Sequence, residues 1–151
     1  MTNTAERVFI DASVFIAAAG SAFGGSALVL ELCQGQRFAA ICSQRVLLEA
    51  QTNIRDKLPP EALARFYKLL AATSPILVSP ATDDEITRSM QFVALKDAHV
   101  VASALKGDVM YLLTLDRKHL ANAEVRAAGL PFQIMTPGDF LQQVIQSTGK
   151  T

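Results

Sequence analysis

Four acidic residues stand where a fold could turn them toward one another. Asp11 closes the apolar run Val8-Phe9-Ile10, and Asp116 closes a second, Tyr111-Leu112-Leu113-Thr114-Leu115. A strand buried in a parallel sheet needs an unbroken apolar run, and open α/β sheets place their ligands at the carboxyl ends of such strands. Asp97 falls at the start of a helical pattern, and Glu49 borders the apolar face of another. Gathered carboxylates repel, raise one another's pKa and cost stability, so a cation is the main reason for a fold to keep them together. Oxygen donors without histidine or cysteine favour Mg²⁺ or Mn²⁺ over Zn²⁺. A structural reading competes: Asp97 caps its helix, Glu49 lies on a solvated face, and the strand-end aspartates bond loop amides.

The elements that would position these acids alternate between strand and helix, which predicts an α/β fold with a mostly parallel sheet covered on both faces. After the first strand, residues 20–26 form a small-residue loop, and residues 27–34 suit a helix ended by Gly35. Phe38 to Cys42 reads as a strand and Ser43 as the N-cap of a helix carrying Val46, Leu47, Ala50 and Ile54 inward until Pro59-Pro60. The next helix, residues 60–72, turns Leu63, Phe66, Tyr67 and Leu70 toward a core or an interface. A short strand over 76–79 precedes Asp83-Asp84-Glu85, acids that suit the first turn of a helix. Asp97 opens a helix stopped by Gly107, residues 110–114 make the fourth strand, and a weak helix ends near Gly129. Residues 132–135 form the last strand, and Thr136-Pro137 starts the last helix.

With 151 residues, half of them hydrophobic, the chain is expected to be a single domain over 1–151. Fourteen basic residues balance fourteen acidic ones, so no overall basic field advertises a nucleic-acid partner. Setting aside the four clustered acids leaves ten against fourteen basic residues, +4, so a rim around the acids can still be basic. Cys33 and Cys42 lack CxxC spacing and read as reduced core thiols. Asp11 interrupts the only apolar stretch near the start, and no run reaches membrane-spanning length; a soluble, cytoplasmic protein is expected.

The segments Phe9-Ile10-Asp11-Ala12-Ser13-Val14-Phe15, Ser43 through Glu49, Lys96-Asp97-Ala98-His99-Val100-Val101-Ala102-Ser103-Ala104 and Leu113-Thr114-Leu115-Asp116-Arg117-Lys118 together resemble the PIN-domain nucleases. All four acidic positions match in order, over a stretch reaching to about Phe140. The resemblance implies a three-layer α/β/α sandwich around five parallel strands ordered 3-2-1-4-5, with the acids where the order reverses. It further implies metal-dependent cleavage of RNA, commonly as the VapC-like toxin of a type II toxin-antitoxin pair. On that basis Asp11, Asp97 and Asp116 form the metal-binding core, Glu49 is the fourth catalytic carboxylate, and Ser13 and Thr114 are supporting polar groups. Mg²⁺ or Mn²⁺ is the expected cofactor. Lys96, Arg117 and Lys118, beside the site acids, are candidates for RNA contact. A small antitoxin protein is the expected partner, and a homodimer the expected assembly. Neutralising Asp11 or Asp116 is expected to abolish cleavage and to leave the metal-free fold unchanged or more stable.

Other features carry less. His99 and His119 lie near Asp97 and Asp116, but two lone histidines without a nucleophilic serine or cysteine make no triad. Gly149-Lys150-Thr151 fails as a phosphate loop, because Val144 stands where the motif needs glycine. A phosphoryl-transfer enzyme of the haloacid-dehalogenase kind wants a second aspartate where Ser13 stands. A non-catalytic binding module on the same fold would be expected to have lost one or more of the acids. A housekeeping RNA-processing nuclease would differ from a toxin mainly by its partner.

Overall fold

The computed structural model describes residues 5–148; the terminal Gly149-Lys150-Thr151 segment lies outside them. Five strands, β1 (Glu6–Ile10), β2 (Phe38–Cys42), β3 (Ile76–Leu77), β4 (Tyr111–Leu113) and β5 (Gln133–Met135), form one all-parallel sheet in the order β3-β2-β1-β4-β5. The helices are α1 (Ala12–Gly20), α2 (Gly25–Leu32), α3 (Gln44–Lys57), α4 (Pro60–Thr73), α5 (Asp83–Ser89), α6 (Leu95–Lys106), α7 (Ala123–Arg126) and α8 (Pro137–Thr148). They complete the three-layer α/β/α arrangement: α1 packs against α2, α3 and α4, while α5 packs against α6 and α8 against α2 and β5.

Continuous apolar runs explain the central strands. Val8, Phe9, Ile10, Leu112 and Leu113 are all fully buried, whereas the two-residue edge strand β3 leaves Ile76 and Leu77 about half exposed. Register brings the two acid-tipped strands level: Ile10 pairs with Leu113, and the Asp11 amide donates to the Leu113 carbonyl at 3.0 Å. Asp11 and Thr114 therefore leave the sheet side by side between β1 and β4, where the strand order reverses.

Helix α1 follows Asp11 with no loop, on residues the sequence reading leaves unassigned. Its Ala12, Val14, Phe15, Ala18 and Ala19 are buried on more than one side, so no helical stripe of polar residues marks it. Phe66 of α4 meets Phe15 edge-on at 6.1 Å, but its neighbour Tyr67, expected inward, is 48% exposed. Phe140 of α8 packs edge-on against Phe38 and Tyr111 at 5.1 and 5.2 Å. The acids at 83–85 do open α5: Thr82 and Glu85 form a reciprocal capping box, and Lys106 bridges to Glu85 at 2.8 Å. Those bonds hold the Glu85 carboxyl down at about 2. Cys33 and Cys42 are free buried thiols, both pushed up to about 12 by burial. Among the described residues no single helix is long and apolar enough to cross a membrane.

Gly107 ends α6 for a different reason than expected. Its backbone is right-handed, and the left-handed position is taken by Asp108 at φ 50°. A Cβ on Gly107 would meet Ile41 Cγ2 at 3.0 Å and Val78 Cγ1 at 3.2 Å, so glycine is needed for close approach of the helix end to the sheet. Gly107→Ala is expected to lower stability by about 1–3 kcal/mol through overpacking. Urea unfolding measures it, and an unchanged midpoint would show that Ile41 and Val78 give way freely.

Candidate active site

Asp11, Glu49, Asp97 and Asp116 line one cavity of about 270 Å³, together with Ser13, Asn53, Lys96 and His99. Asp11 is buried, Asp97 and Asp116 half-buried, and the Glu49 side chain half exposed. The larger concavity of about 630 Å³ along β5, between Met110 and Asp139, shares no residue with this cluster. Size alone would select it, but the convergence of titratable groups marks the smaller cavity.

Two hydroxyls fix Asp11. Ser13 Oγ donates to Asp11 Oδ2 at 2.9 Å and accepts the Leu115 amide at 3.0 Å. Thr114 Oγ1 donates to the same oxygen at 2.7 Å and accepts the Asp116 amide at 3.1 Å. Each hydroxyl thus ties the end of β1 to the chain leaving β4, and their oxygens lie 3.4 Å apart. This bears directly on the structural reading: Asp11 binds hydroxyls rather than loop amides and makes no side-chain cap for α1.

Asp97 is the third residue of α6, not the first; Ala94 is the N-cap and no side chain caps the helix. Its Oδ2 is buried and has no hydrogen-bond partner among the described residues. Burial, together with Asp116 and Asp11, pushes the Asp97 carboxyl above its ordinary range, although Lys96 and His119 oppose the rise. Glu49 is raised as well, first by burial and then by Asp11 and Asp97, with Arg45 opposing. Asp116 differs. Burial would raise it, but the His119 backbone amide at 3.0 Å and the His119 ring at 3.1 Å hold it below the usual value.

His119, set aside on sequence grounds, belongs to the cluster. Asp97, Asp116 and His119 each offer a ligand atom within 4.8 Å of the others. The i, i+3 spacing from Asp116 was the available signal, but residues 117–119 are not helical; Leu120 and Ala121 amides both return to the Asp116 carbonyl, folding His119 back over the carboxylate. Lys96 Nζ lies 3.2 Å from His119 Nδ1, which places Lys96 at the cluster itself, whereas Arg117 and Lys118 are exposed beyond it. His99 is buried with Nε2 at 3.9 Å from Glu49 Oε2 and Nδ1 unpartnered among the described residues. Burial and Arg45 push its pKa down to about 4, so it is neutral at pH 7.

An orphaned, buried carboxylate oxygen beside a second carboxylate and an imidazole suits a divalent cation. The donor set therefore fits Mg²⁺ or Mn²⁺, with one change from expectation: it includes a nitrogen.

The PIN domain profile matches residues 7–118, and the chain belongs to the PIN-domain family. Among solved structures the chain is similar to PAE2754 from Pyrobaculum aerophilum, with 18% identity, a TM-score of 0.61, and coverage of 94% of this chain and 98% of that one. It is also similar to VapBC2 from Rickettsia felis bound to a DNA fragment from their promoter, with 13% identity, a TM-score of 0.63, and coverage of 86% and 98%. At these identities the likeness establishes the shared fold. No curated protein sequence matches the chain.

The hydroxyl pair yields a direct expectation. Thr114→Val keeps the shape of the side chain but removes the bond to Asp11 and the acceptor for the Asp116 amide. Outer partners of this kind are worth about 10- to 100-fold in metal affinity or activity. Calorimetric titration with Mn²⁺ reads the loss directly, and Thr114→Ser, which keeps the hydroxyl, should restore most of it. Equal affinity in the valine variant would assign Thr114 to packing alone.

Proposed function

We propose that the chain is a Mg²⁺- or Mn²⁺-dependent endoribonuclease, built as a single domain, whose catalytic carboxylates are Asp11, Glu49, Asp97 and Asp116. The observation that carries this reading is the buried Oδ2 of Asp97, without a partner among the described residues, in a cavity shared with the other three acids. Asp11, Asp97 and Asp116 would hold the metal, with His119 within reach. Bound there, the ion would lower the pKa of a coordinated water and stabilise charge on the phosphate in flight. The protein's own groups supply the rest. Ser13 and Thr114 keep Asp11 oriented, and His119 keeps Asp116 ionised. Glu49, raised in pKa and half exposed, would orient the attacking water and take its proton. Arg117 and Lys118, both exposed, would contribute positive charge on the rim, and Lys96, whose ammonium lies beside His119, would contact the scissile phosphate. Incubating single-stranded and hairpin RNA with the protein, with and without Mn²⁺, tests the proposal; uncut RNA in every metal would overturn it.

In a cell the enzyme would act in the cytoplasm as the toxin of a pair, held in check by a small antitoxin protein. The neighbour from Rickettsia felis, solved as VapBC2, supports a partnered toxin, as does the charge of the site. Asp11, Glu49, Asp97 and Asp116 line one cavity, so a cationic side chain from outside has a matching destination. A guanidinium engages carboxylates in bidentate fashion and would compete with metal. The expected result is that a small protein encoded next to this one inhibits cleavage and that raising Mn²⁺ weakens inhibition. Harmless expression of the chain, with no neighbouring product co-purifying, would instead favour the housekeeping-nuclease reading. The assembly is proposed to be a homodimer, and light scattering of the isolated chain would settle it.

A further inference from the structure

The acid cavity has a neighbour. A second cavity of about 250 Å³ is lined by Gln44, Arg45, Leu48, Ile86, His99 and Ser103, with Pro80 and Ala81 at its edge. His99 belongs to both cavities. The two are aligned by the same pair of helices. On α3, Arg45 and Glu49 are four residues apart and share a face; on α6, His99 and Ser103 do the same, with Asp97 just before them. Glu49 and Asp97 serve the first cavity, while Arg45 and Ser103 serve the second. The offset is one helical turn, about 5.4 Å.

We propose that this second cavity receives the base of a nucleotide next to the scissile phosphate, making Arg45, His99 and Ser103 the groups that read the RNA sequence. The inference rests on the nuclease reading of the neighbouring site. Three observations carry it. First, the cavity lies one turn from the acids and shares the wall residue His99 with theirs, so a strand with its phosphate over Asp97 and Asp116 can bring a flanking nucleoside to it. Second, its walls are of two kinds: Leu48, Pro80, Ala81 and Ile86 offer apolar surface, while Gln44, Arg45, His99 and Ser103 offer hydrogen-bonding groups. A planar heterocycle with a polar edge matches that mixture, and unstacked bases of single-stranded RNA are read in this way. Third, His99 is only 6% exposed and its Nδ1 has no partner among the described residues, and Ser103, one turn further along the same helix face, is buried as well. A buried polar atom left unmatched, as His99 Nδ1 is, is what a site built to hydrogen-bond a ligand contains before the ligand arrives. The cavity is smaller than the roughly 300–1,000 Å³ of pockets that hold drug-sized ligands, so it suits one base and not a whole nucleotide.

The test uses short fluorescein-labelled RNA oligomers of each single base and an abasic oligomer, binding to the full chain carrying Asp116→Asn so that no RNA is cut. Anisotropy titrations are expected to show one base bound at least about 10-fold more tightly than the abasic strand, in line with good side-chain-to-base contacts. Arg45→Ala, which removes a donor from an exposed position, and Ala81→Leu, which fills the cavity from a half-buried loop, should each shrink that preference to less than about threefold while leaving abasic binding unchanged. Equal binding of all oligomers, abasic included, overturns the base site yet leaves the nuclease reading intact. An equal fall in affinity for every oligomer in Arg45→Ala would make Arg45 a phosphate contact and also overturn it. Loss of all RNA binding by the chain, with no cleavage by the unsubstituted protein in Mn²⁺, would defeat the nuclease reading as well.

Discussion

Asp97→Asn and Asp116→Asn are each expected to lower RNA cleavage by on the order of 10²–10³-fold or more, while moving the stability of the metal-free protein in opposite directions. Both remove a charge that would hold the cation. Their situations without metal differ. The Asp97 carboxyl is raised by burial and by its acidic neighbours, and its Oδ2 is unpartnered. The folded state thus holds the Asp97 proton more tightly than the unfolded chain does. Its favourable contribution is present below the ordinary carboxylate pKa and is lost as pH rises through the raised folded value. At neutral pH the neutral amide should therefore raise the melting temperature of metal-free protein, and Glu49→Gln, raised for like reasons, should act in the same direction. Asp116 is held below its usual value by the His119 amide and ring, so its ionised form stabilises the fold above the ordinary carboxylate pKa. Asp116→Asn should melt lower. The direction is opposite to the one that charge repulsion alone predicts for Asp116. Melting curves in EDTA at pH 7 decide it, and a lower melting temperature for Asp97→Asn would return that residue to a structural role.

The distance between what the chain announces and what it conceals follows from burial and from turns. The strands and the level of the acids were legible because β1 and β4 are buried on both faces and read as uninterrupted apolar runs ending in Asp11 and Asp116. Helix α1 was not, for the same reason. Its buried faces leave residues 12–19 almost uniformly apolar, with Ser13 as the only polar exception, and Ser13 points to Asp11. Helix α6 begins two residues before Asp97 because Ala94 caps it with backbone alone, giving no capping residue to find, and Leu95 at that end is 62% exposed. Gly107 looked like a helix stop, but its lack of a Cβ answers to Ile41, a contact 66 residues away in sequence that no local pattern encodes. His119 stayed hidden because it reaches Asp116 through a non-repeating turn, where spacing predicts nothing about which way a ring faces. Ser13 and Thr114, by contrast, were proposed as supporting groups through the family resemblance, and both hydroxyls do donate to Asp11.

The presence of that ring changes what should be expected of the metal. Chelation with excess EDTA is expected to end cleavage, and Mn²⁺ to restore it at lower concentration than Mg²⁺. An all-oxygen site gives Mg²⁺ its best case, because that ion is hard, dehydrates reluctantly and keeps several waters. With Asp97, Asp116 and His119 offering atoms within 4.8 Å of one another, an imidazole nitrogen can join the donor set, and nitrogen suits the transition metal better. The ring can join it beside Asp116, whose Oδ2 is 3.1 Å from Nδ1 as adjacent donors to one ion would be, so only Lys96 Nζ, 3.2 Å away, has to give way. Lys96 would then be freed from His119, and its ammonium repelled from an occupied site toward the incoming phosphate. His119→Asn, which puts an amide in place of the ring, should narrow the gap between the two metals by weakening Mn²⁺ binding about 10-fold and Mg²⁺ binding much less. Calorimetric titration of each ion measures this without reference to activity. Equal losses for both ions in the variant would place His119 outside the coordination sphere, as the residue that merely keeps Asp116 ionised; cleavage surviving in EDTA would remove the metal from the mechanism altogether.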